Sequence, residues 1–313
     1  MNDRSQLSVL TLSIAAVERD TGLSKDTLRV WERRYGFPNP SRDGGGERAY
    51  PLDQVEKLRL IKRLLDAGHR PGRVVGMAHQ DLQQLNDSTS EPAATVPAAP
   101  NWDDAAVQDY LGLLRGHDLA ALRRELARDL VRVGLPRFLT GLLVPLNRAI
   151  GEAWLRGQME VFEEHAYTEI LQGLLRHTLA NLPPAVPGTR PRVLLSTLPG
   201  EPHGLGLLMV EALLAAEGAD CVSLGVQTPV WDLVLAAEAY RCDVVALGFS
   251  GCTNPNQTVE SLQELRAKLP VSTELWVGGS APVLQRRRID GVSPFDDLAA
   301  LPDAITTWRE RHP

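Results

Sequence analysis

The feature that most limits what this chain can fold into is a change of hydrophobic period within residues 192–215. Arg192-Val-Leu-Leu-Ser-Thr197 is an apolar run of buried-strand type, and Leu207-Leu-Met-Val-Glu-Ala-Leu-Leu-Ala215 is a helical one. A buried strand feeding a helix belongs to an open α/β sheet, whose ligands bind beyond the carboxyl ends of the strands. The connecting stretch, Leu198-Pro-Gly-Glu-Pro-His-Gly-Leu-Gly206, leaves that end. It sets Glu201 two residues before His203, with Gly206 three residues after it. Neutral imidazole is a good ligand for a borderline transition metal, and a carboxylate on its other nitrogen fixes the tautomer and raises basicity. A glycine where the helix starts lets a bulky ligand approach the backbone. Taken alone, an exposed histidine in a glycine-rich loop is more often ordinary polar loop.

Charge divides the chain. Over 313 residues the formal net charge is -6, yet residues 1–75 hold 14 Lys+Arg against 10 Asp+Glu while the remainder holds 19 against 29. A basic arm on an acidic body points to a nucleic-acid module fused to something else, and the length allows two or three domains. The cysteines, Cys221, Cys242 and Cys252, have no metal-type spacing, and an odd count fits no disulfide framework. The polar N-terminus and the lack of any apolar run near about 18 residues predict neither signal peptide nor membrane span, hence a cytoplasmic protein.

The basic arm reads as two helices around a glycine turn. Ser13 caps the first, Gly22 breaks it, and Ser24 caps the second, Lys25–Tyr35. In the second helix Lys25, Thr27, Arg29, Arg33 and Arg34 can face outward, a surface suited to the major groove and its phosphates. Charge alone leaves an ordinary solvated helix face as the alternative. Residues 35–50 read as a tight β-ribbon carrying Arg42, Arg48 and Tyr50, and a further helix runs from Asp53 toward Gly68. Residues 86–100, rich in Pro, Ala and Ser, predict a flexible, partly extended linker. Residues 102–182 show only helical periodicity, in four segments: Ala105–Leu114, His117–Val131, Pro136–Leu155 and Phe162–Leu182. Short breaks at Gly116, Gly134 and Gly157 make these an antiparallel four-helix bundle. The expected domains are 1–80, a linker over 81–101, the bundle over 102–183 and a Rossmann-like (flavodoxin-like) α/β domain over 189–313.

Three blocks resemble known modules. Residues 9–78 resemble the DNA-binding domain of MerR-type regulators, winged helix-turn-helix proteins that bind two-fold operators as dimers. The resemblance implies groove contacts for Arg29, Arg33 and Arg34, and wing contacts for Arg42, Arg48 and Tyr50. Glu201-x-His203-x-x-Gly206, with Ser223-x-Gly225 and Gly278-Gly279 at later strand ends, resembles the cobalamin-binding motif in which histidine replaces the lower axial base of the corrin cobalt. By that resemblance His203 is the cobalt ligand and Glu201, in place of the usual Asp, orients it. Ser223 contacts the buried nucleotide tail, Leu224 packs on it, and Gly206, Gly278 and Gly279 leave room.

Trp154, followed after nine residues by Glu164-His165, resembles the cap of the light-responsive MerR-type regulators called CarH or LitR. It implies Trp154 over the adenosyl group of adenosylcobalamin, Glu164 on its sugar and His165 lining the pocket. One departure stands out. Light-responsive members carry a second histidine directly after the Trp, and here that residue is Leu155. The resulting expectation is a non-enzymatic repressor of double-stranded operator DNA, a homo-oligomer (dimer or tetramer), with adenosylcobalamin as cofactor and light as signal. Leu155 favours a light-independent cobalamin sensor or a partner-controlled regulator instead. A corrinoid carrier for methyl transfer is opposed by the DNA arm.

Overall fold

The computed structural model describes residues 11–42, 46–66, 69–89, 104–251 and 253–312. It divides into two compact units, the first built mainly from residues up to 95 and the second from those beyond.

In the first unit, strand β1 (Thr11–Ser13) leads directly into helix α1 (Ile14–Thr21), with the Ser13 hydroxyl accepting from the Ala16 amide at 3.3 Å. Gly22, at φ 69, closes α1 in the left-handed conformation that glycine adopts without penalty. Ser24 caps helix α2 (Lys25–Tyr35) through the Thr27 amide at 3.1 Å. Strands β2 (Ser41–Arg42) and β3 (Arg48–Pro51) form the wing, and β1 adds to β3 on its other edge. Helices α3 (Leu52–Asp66), α4 (Pro71–Val74) and α5 (His79–Thr89) complete the unit. One apolar core, including Val17, Leu28, Trp31, Tyr50, Leu58, Ile61 and Leu82, joins them.

One expectation changes here. Residues 81–89, assigned by sequence to the linker, continue α5, because Leu82 and Leu85 fall one turn apart on its inner face and pack on that core. Residues 90–101, the rest of that stretch, lie outside the described residues, as do residues 102–103 of the expected bundle and Gly44, Gly45, Gly68 and Cys252.

The second unit opens with α6 (Asp104–Arg115) and α7 (Leu119–Val133). The next rod is α8 (Leu135–Arg137), which passes through a π-helical stretch, Phe138–Leu143, into α9 (Val144–Leu155), and α10 (Val161–Ala180) is the fourth. The breaks have local causes: Gly134 takes φ 79, Asp118 accepts from the Ala121 amide to start α7, and Glu163 accepts from the Glu160 amide to start α10.

A parallel sheet follows, built from β4 (Arg192–Ser196), β5 (Asp220–Ser223), β6 (Val244–Phe249), β7 (Glu274–Gly279) and β8 (Val292–Phe295). Between and after the strands lie α11 (Leu205–Ala216), α12 (Val230–Ala239), α13 (Pro255–Lys268), α14 (Pro282–Arg286) and α15 (Leu301–Arg311). The strand order β5-β4-β6-β7-β8 is the flavodoxin-like one. Alternation sorts the strands' side chains onto two faces. Val193, Leu195, Val244, Ala246 and Trp276 share one core with α11, α15 and the bundle, including Leu126, Leu142 and Leu171. Leu194, Val245, Leu247, Leu275 and Val277 pack beneath α12, α13 and α14. Connections from β4 and β6 leave in opposite directions, so a crevice opens between their carboxyl ends.

Candidate functional site

That crevice holds Glu201 and His203, in the loop joining β4 to α11. Glu201 is only 1% exposed. Its Oε1 accepts from His203 Nδ1 at 2.6 Å and from the His203 backbone N–H at 2.9 Å. Its Oε2 accepts from the backbone N–H of Ser250, at the end of β6, at 2.6 Å. Burial alone would push this carboxyl upward, but the bonds from His203 and Ser250 outweigh it and hold the group below the usual carboxylate range. An ionised carboxylate only accepts, so the shared proton belongs on Nδ1 and Nε2 becomes the basic nitrogen of the ring. The His203 side chain is 60% exposed. A histidine held this way could ligate a metal through Nε2.

Two hydroxyls that sequence reading passes over shape this loop. Thr197 Oγ1 donates to the Glu201 carbonyl at 2.6 Å and accepts from the Gln227 amide at 2.8 Å. Ser196 Oγ lies 2.7 Å from Thr228 Oγ1 and 3.0 Å from the Gly225 carbonyl. Together they tie the loop carrying His203 to the loop after β5. A Ser-Thr pair ending a buried strand is the available sequence signal, since buried hydroxyls require partners. Ser250 gave no such signal, because only the sheet brings it to Glu201.

Gly206 lies in the first turn of α11, and a Cβ there would meet nothing within 4 Å. Glycine weakens a helix by roughly 0.5–1 kcal/mol relative to alanine, and no protein atom requires it here. Gly278 and Gly279 are different. A Cβ on Gly279, at φ +115, would stand 2.0 Å from the Phe249 carbonyl oxygen, and one on Gly278 3.2 Å from that of Phe295. The backbone of β6 thus demands glycine at 279, and β8 leaves only a tight fit at 278, where the sequence reading assigns both glycines to ligand space. Ser223 is exposed at the end of β5, and burial pushes up the nearby Glu211 carboxyl of α11. Leu224 is half-buried against the core under α12.

The bundle residues gather where α9 meets α10. Trp154 is half-buried and next to last in α9, and Leu155 is last. Glu164 accepts from Thr168 Oγ1 at 2.7 Å, with His165 Nε2 3.7 Å from its other oxygen and the His165 side chain 71% exposed. One turn onward, buried Tyr167 donates to Asn147 Oδ1 at 2.5 Å, and Asn147 Nδ2 lies 3.1 Å from Met209 Sδ. Burial, then the Glu164 charge, raises the Tyr167 phenol well above its ordinary value. Polar contacts therefore run from the Glu164 neighbourhood to α11, one turn beyond Gly206.

Comparison with known proteins follows the same division. Residues 12–80 match the MerR HTH family regulatory protein family, and residues 108–178 and 191–299 match two B12 binding domain families. The chain is 31% identical to the HTH-type transcriptional repressor CarA of Myxococcus xanthus, over 83% of this chain and 84% of that protein. It is 29% identical to CarH of the same organism, over 83% and 86%. The chain belongs to the family of MerR-type transcriptional repressors CarA and CarH. The fold of a Methanosarcina barkeri monomethylamine corrinoid protein is similar over 64% of this chain and 96% of that one, with a TM-score of 0.50 at 17% identity. The chain is a cobalamin-binding MerR-type regulator. Its residues fit that cofactor on two observations: a buried carboxylate prepares one histidine nitrogen, and Gly206 leaves helix backbone open beside it.

In such a regulator the second surface of interest is α2 and the wing. Arg33 and Arg34 are exposed, Arg34 lying over the Tyr35 ring at 5.3 Å. Arg29 pairs with Asp26 at 3.1 Å and Lys25 with Glu18 at 3.5 Å. Thr27 is held by the Ser24 cap, its hydroxyl 2.8 Å from Ser24 Oγ. Arg42 donates to the Gly46 carbonyl at 2.6 Å, and Arg48 pairs with Glu32 of α2 at 2.8 Å, tying wing to helix. Tyr50 departs from expectation. It is fully buried, its hydroxyl has no hydrogen-bond partner among the described residues, and it serves the core of the unit instead of the wing surface. The described residues contain no helix long and apolar enough to cross a membrane.

Proposed function

We propose that this chain is a cytoplasmic, adenosylcobalamin-dependent and light-responsive repressor that grips a two-fold operator as a homo-oligomer. His203 would ligate cobalt through Nε2, with Glu201 setting its tautomer and Gly206 admitting the corrin. Ser223 and Leu224 would meet the nucleotide tail, beside the strand ends carrying Gly278 and Gly279. Trp154 would cover the adenosyl group by dispersion contact, Glu164 would accept from its sugar hydroxyls, and His165 would line the pocket. When bound, the cofactor supplies a cobalt–carbon bond weak enough for visible light to cleave. Trp154 and Glu164 would hold the bundle to the adenosyl group, so the bundle would be the part that responds to its loss. Lys25, Thr27, Arg29, Arg33 and Arg34 would face the groove, with Arg42 and Arg48 on the wing. Several arms gripping together can raise affinity by roughly 10² to 10⁴, so disassembly alone would release DNA. The functional divisions are taken as 1–80, 102–183 and 189–313. This is a switch without turnover.

The observation that carries the reading is the 2.6 Å hold of buried Glu201 on His203 Nδ1. The test is a dark-and-light comparison of absorption spectrum, particle size and DNA retardation, with and without adenosylcobalamin. Binding that is the same in all four conditions would refute the switch. Leu155 supports a second reading, a light-independent cobalamin sensor. That reading expects cofactor-dependent binding with no change of size on illumination.

A further inference from the structure

Arg286, Arg287 and Arg288 form the longest run of like charge in the second unit, and all three are exposed. Their backbone is anchored on both sides. Val283 and Leu284 of α14 are buried before the run, and Ile289 packs on the same core after it. Among the described residues none of the three guanidinium groups has a hydrogen bond, ion pair or ring contact.

The other cations of residues 189–313 behave differently. Arg190 pairs with Asp243 at 2.5 Å, Arg192 with Asp220 at 2.6 Å and Arg311 with Glu274 at 3.2 Å. Lys268 pairs with Glu264 at 3.7 Å, while Arg266 and Arg309 each donate to backbone carbonyls. Only Arg241 joins the run in lacking a partner among described residues. The segment holds 10 Lys+Arg against 15 Asp+Glu, so acid is at hand, yet the three arginines are left facing solvent. Placed side by side they repel one another, and their charge reduces the net charge that favours solubility. A planar guanidinium fork matches phosphate oxygens in pairs, and residues about 3.8 Å apart can spread along a phosphate backbone.

We propose that Arg286–Arg288 is a second DNA contact, independent of sequence, which takes the phosphate backbone of duplex flanking the site held by the helix-turn-helix. The inference rests on the DNA-binding reading above. Tethering to the first unit raises the local concentration of duplex near this patch, so modest contacts suffice.

The test uses the full chain and a fluorescent 60-bp duplex, with affinity measured across a salt series. Neutralising one phosphate contact contributes a slope of about 0.9 in log affinity against log salt. The variant R286Q/R287Q/R288Q is expected to lose up to about 2.7 of slope per protomer. R286K/R287K/R288K should keep most of it. R123Q/R124Q/R137Q, which removes as many exposed charges from the bundle, should keep wild-type slope. An unchanged slope in the glutamine variant, or an equal loss in the bundle control, overturns the proposal while leaving DNA binding standing. A change in particle size without DNA would make the patch a contact between copies and also overturn it. If the wild type fails to bind any duplex, the DNA-binding reading falls as well.

Discussion

Replacing Glu201 by Gln tests the site at its least tolerant atom. Both carboxylate oxygens face donors, Oε1 the two N–H groups of His203 and Oε2 the amide of Ser250. An amide of the same shape has one accepting end and one donating end, so it must point a donor at a donor in either orientation. With the amide nitrogen toward Ser250, a buried N–H is orphaned, at about 1–3 kcal/mol. With it toward His203, two bonds fail and Nδ1 must turn acceptor, which moves the proton to Nε2 and removes the ligating lone pair. Loss of such an orienting partner lowers metal affinity about 10–100-fold. The first orientation shows as a lower melting temperature, by roughly 2–4 °C per kcal/mol in a unit of this size. The second shows as weaker adenosylcobalamin binding and an altered lower-axial absorption signature. Titration by absorbance together with thermal melting reads both, and Glu201→Asp, which keeps two acceptors, should lie between. Wild-type melting and wild-type cofactor affinity in the Gln variant would refute the assignment of these three bonds.

Gly206→Ala should leave the apo-protein as stable or up to about 1 kcal/mol more stable, since alanine is the better helix former, yet weaken cobalamin binding. Gly279→Ala should yield little soluble protein, because its Cβ would stand 2.0 Å from the Phe249 carbonyl oxygen; normal yield and melting would contradict the strand packing. Tyr50→Phe removes a buried hydroxyl that has no partner among the described residues and should raise stability by up to about 1 kcal/mol with DNA affinity unchanged; a loss of affinity in gel retardation would return Tyr50 to the wing. Burial, with the Glu211 and Asp220 charges, pushes the Cys221 thiol up to about 12, and burial pushes Cys242 up to about 11. At pH 8 their thiolate fractions are therefore roughly 10² to 10³-fold below that of a free cysteine. Iodoacetamide labelling followed by peptide mapping should find both slow until denaturant is added, and rapid native labelling would contradict the upward shift of both thiols.

Sequence by itself determined the pieces whose causes are local. The apolar run ending at Thr197, the helix after Gly206, the caps at Ser13 and Ser24 and the break at Gly22 depend on neighbours within a turn or two. The pairing of Glu201 with His203 was legible for the same reason, with only one residue between them. Relations across the sheet were not. Ser250 reaches Glu201 because β6 lies beside β4, and many strand orders share one hydrophobic pattern. Tyr50 reads as a polar wing residue until β1 and α3 enclose its ring, and Gly279 reads as ligand space until β6 fills it. The helical stretch through Thr89 was hidden by a polar, loop-like composition that packing of Leu82 and Leu85 overrode. Periodicity and capping act over a few ångströms of chain, while burial is set by elements tens of residues away.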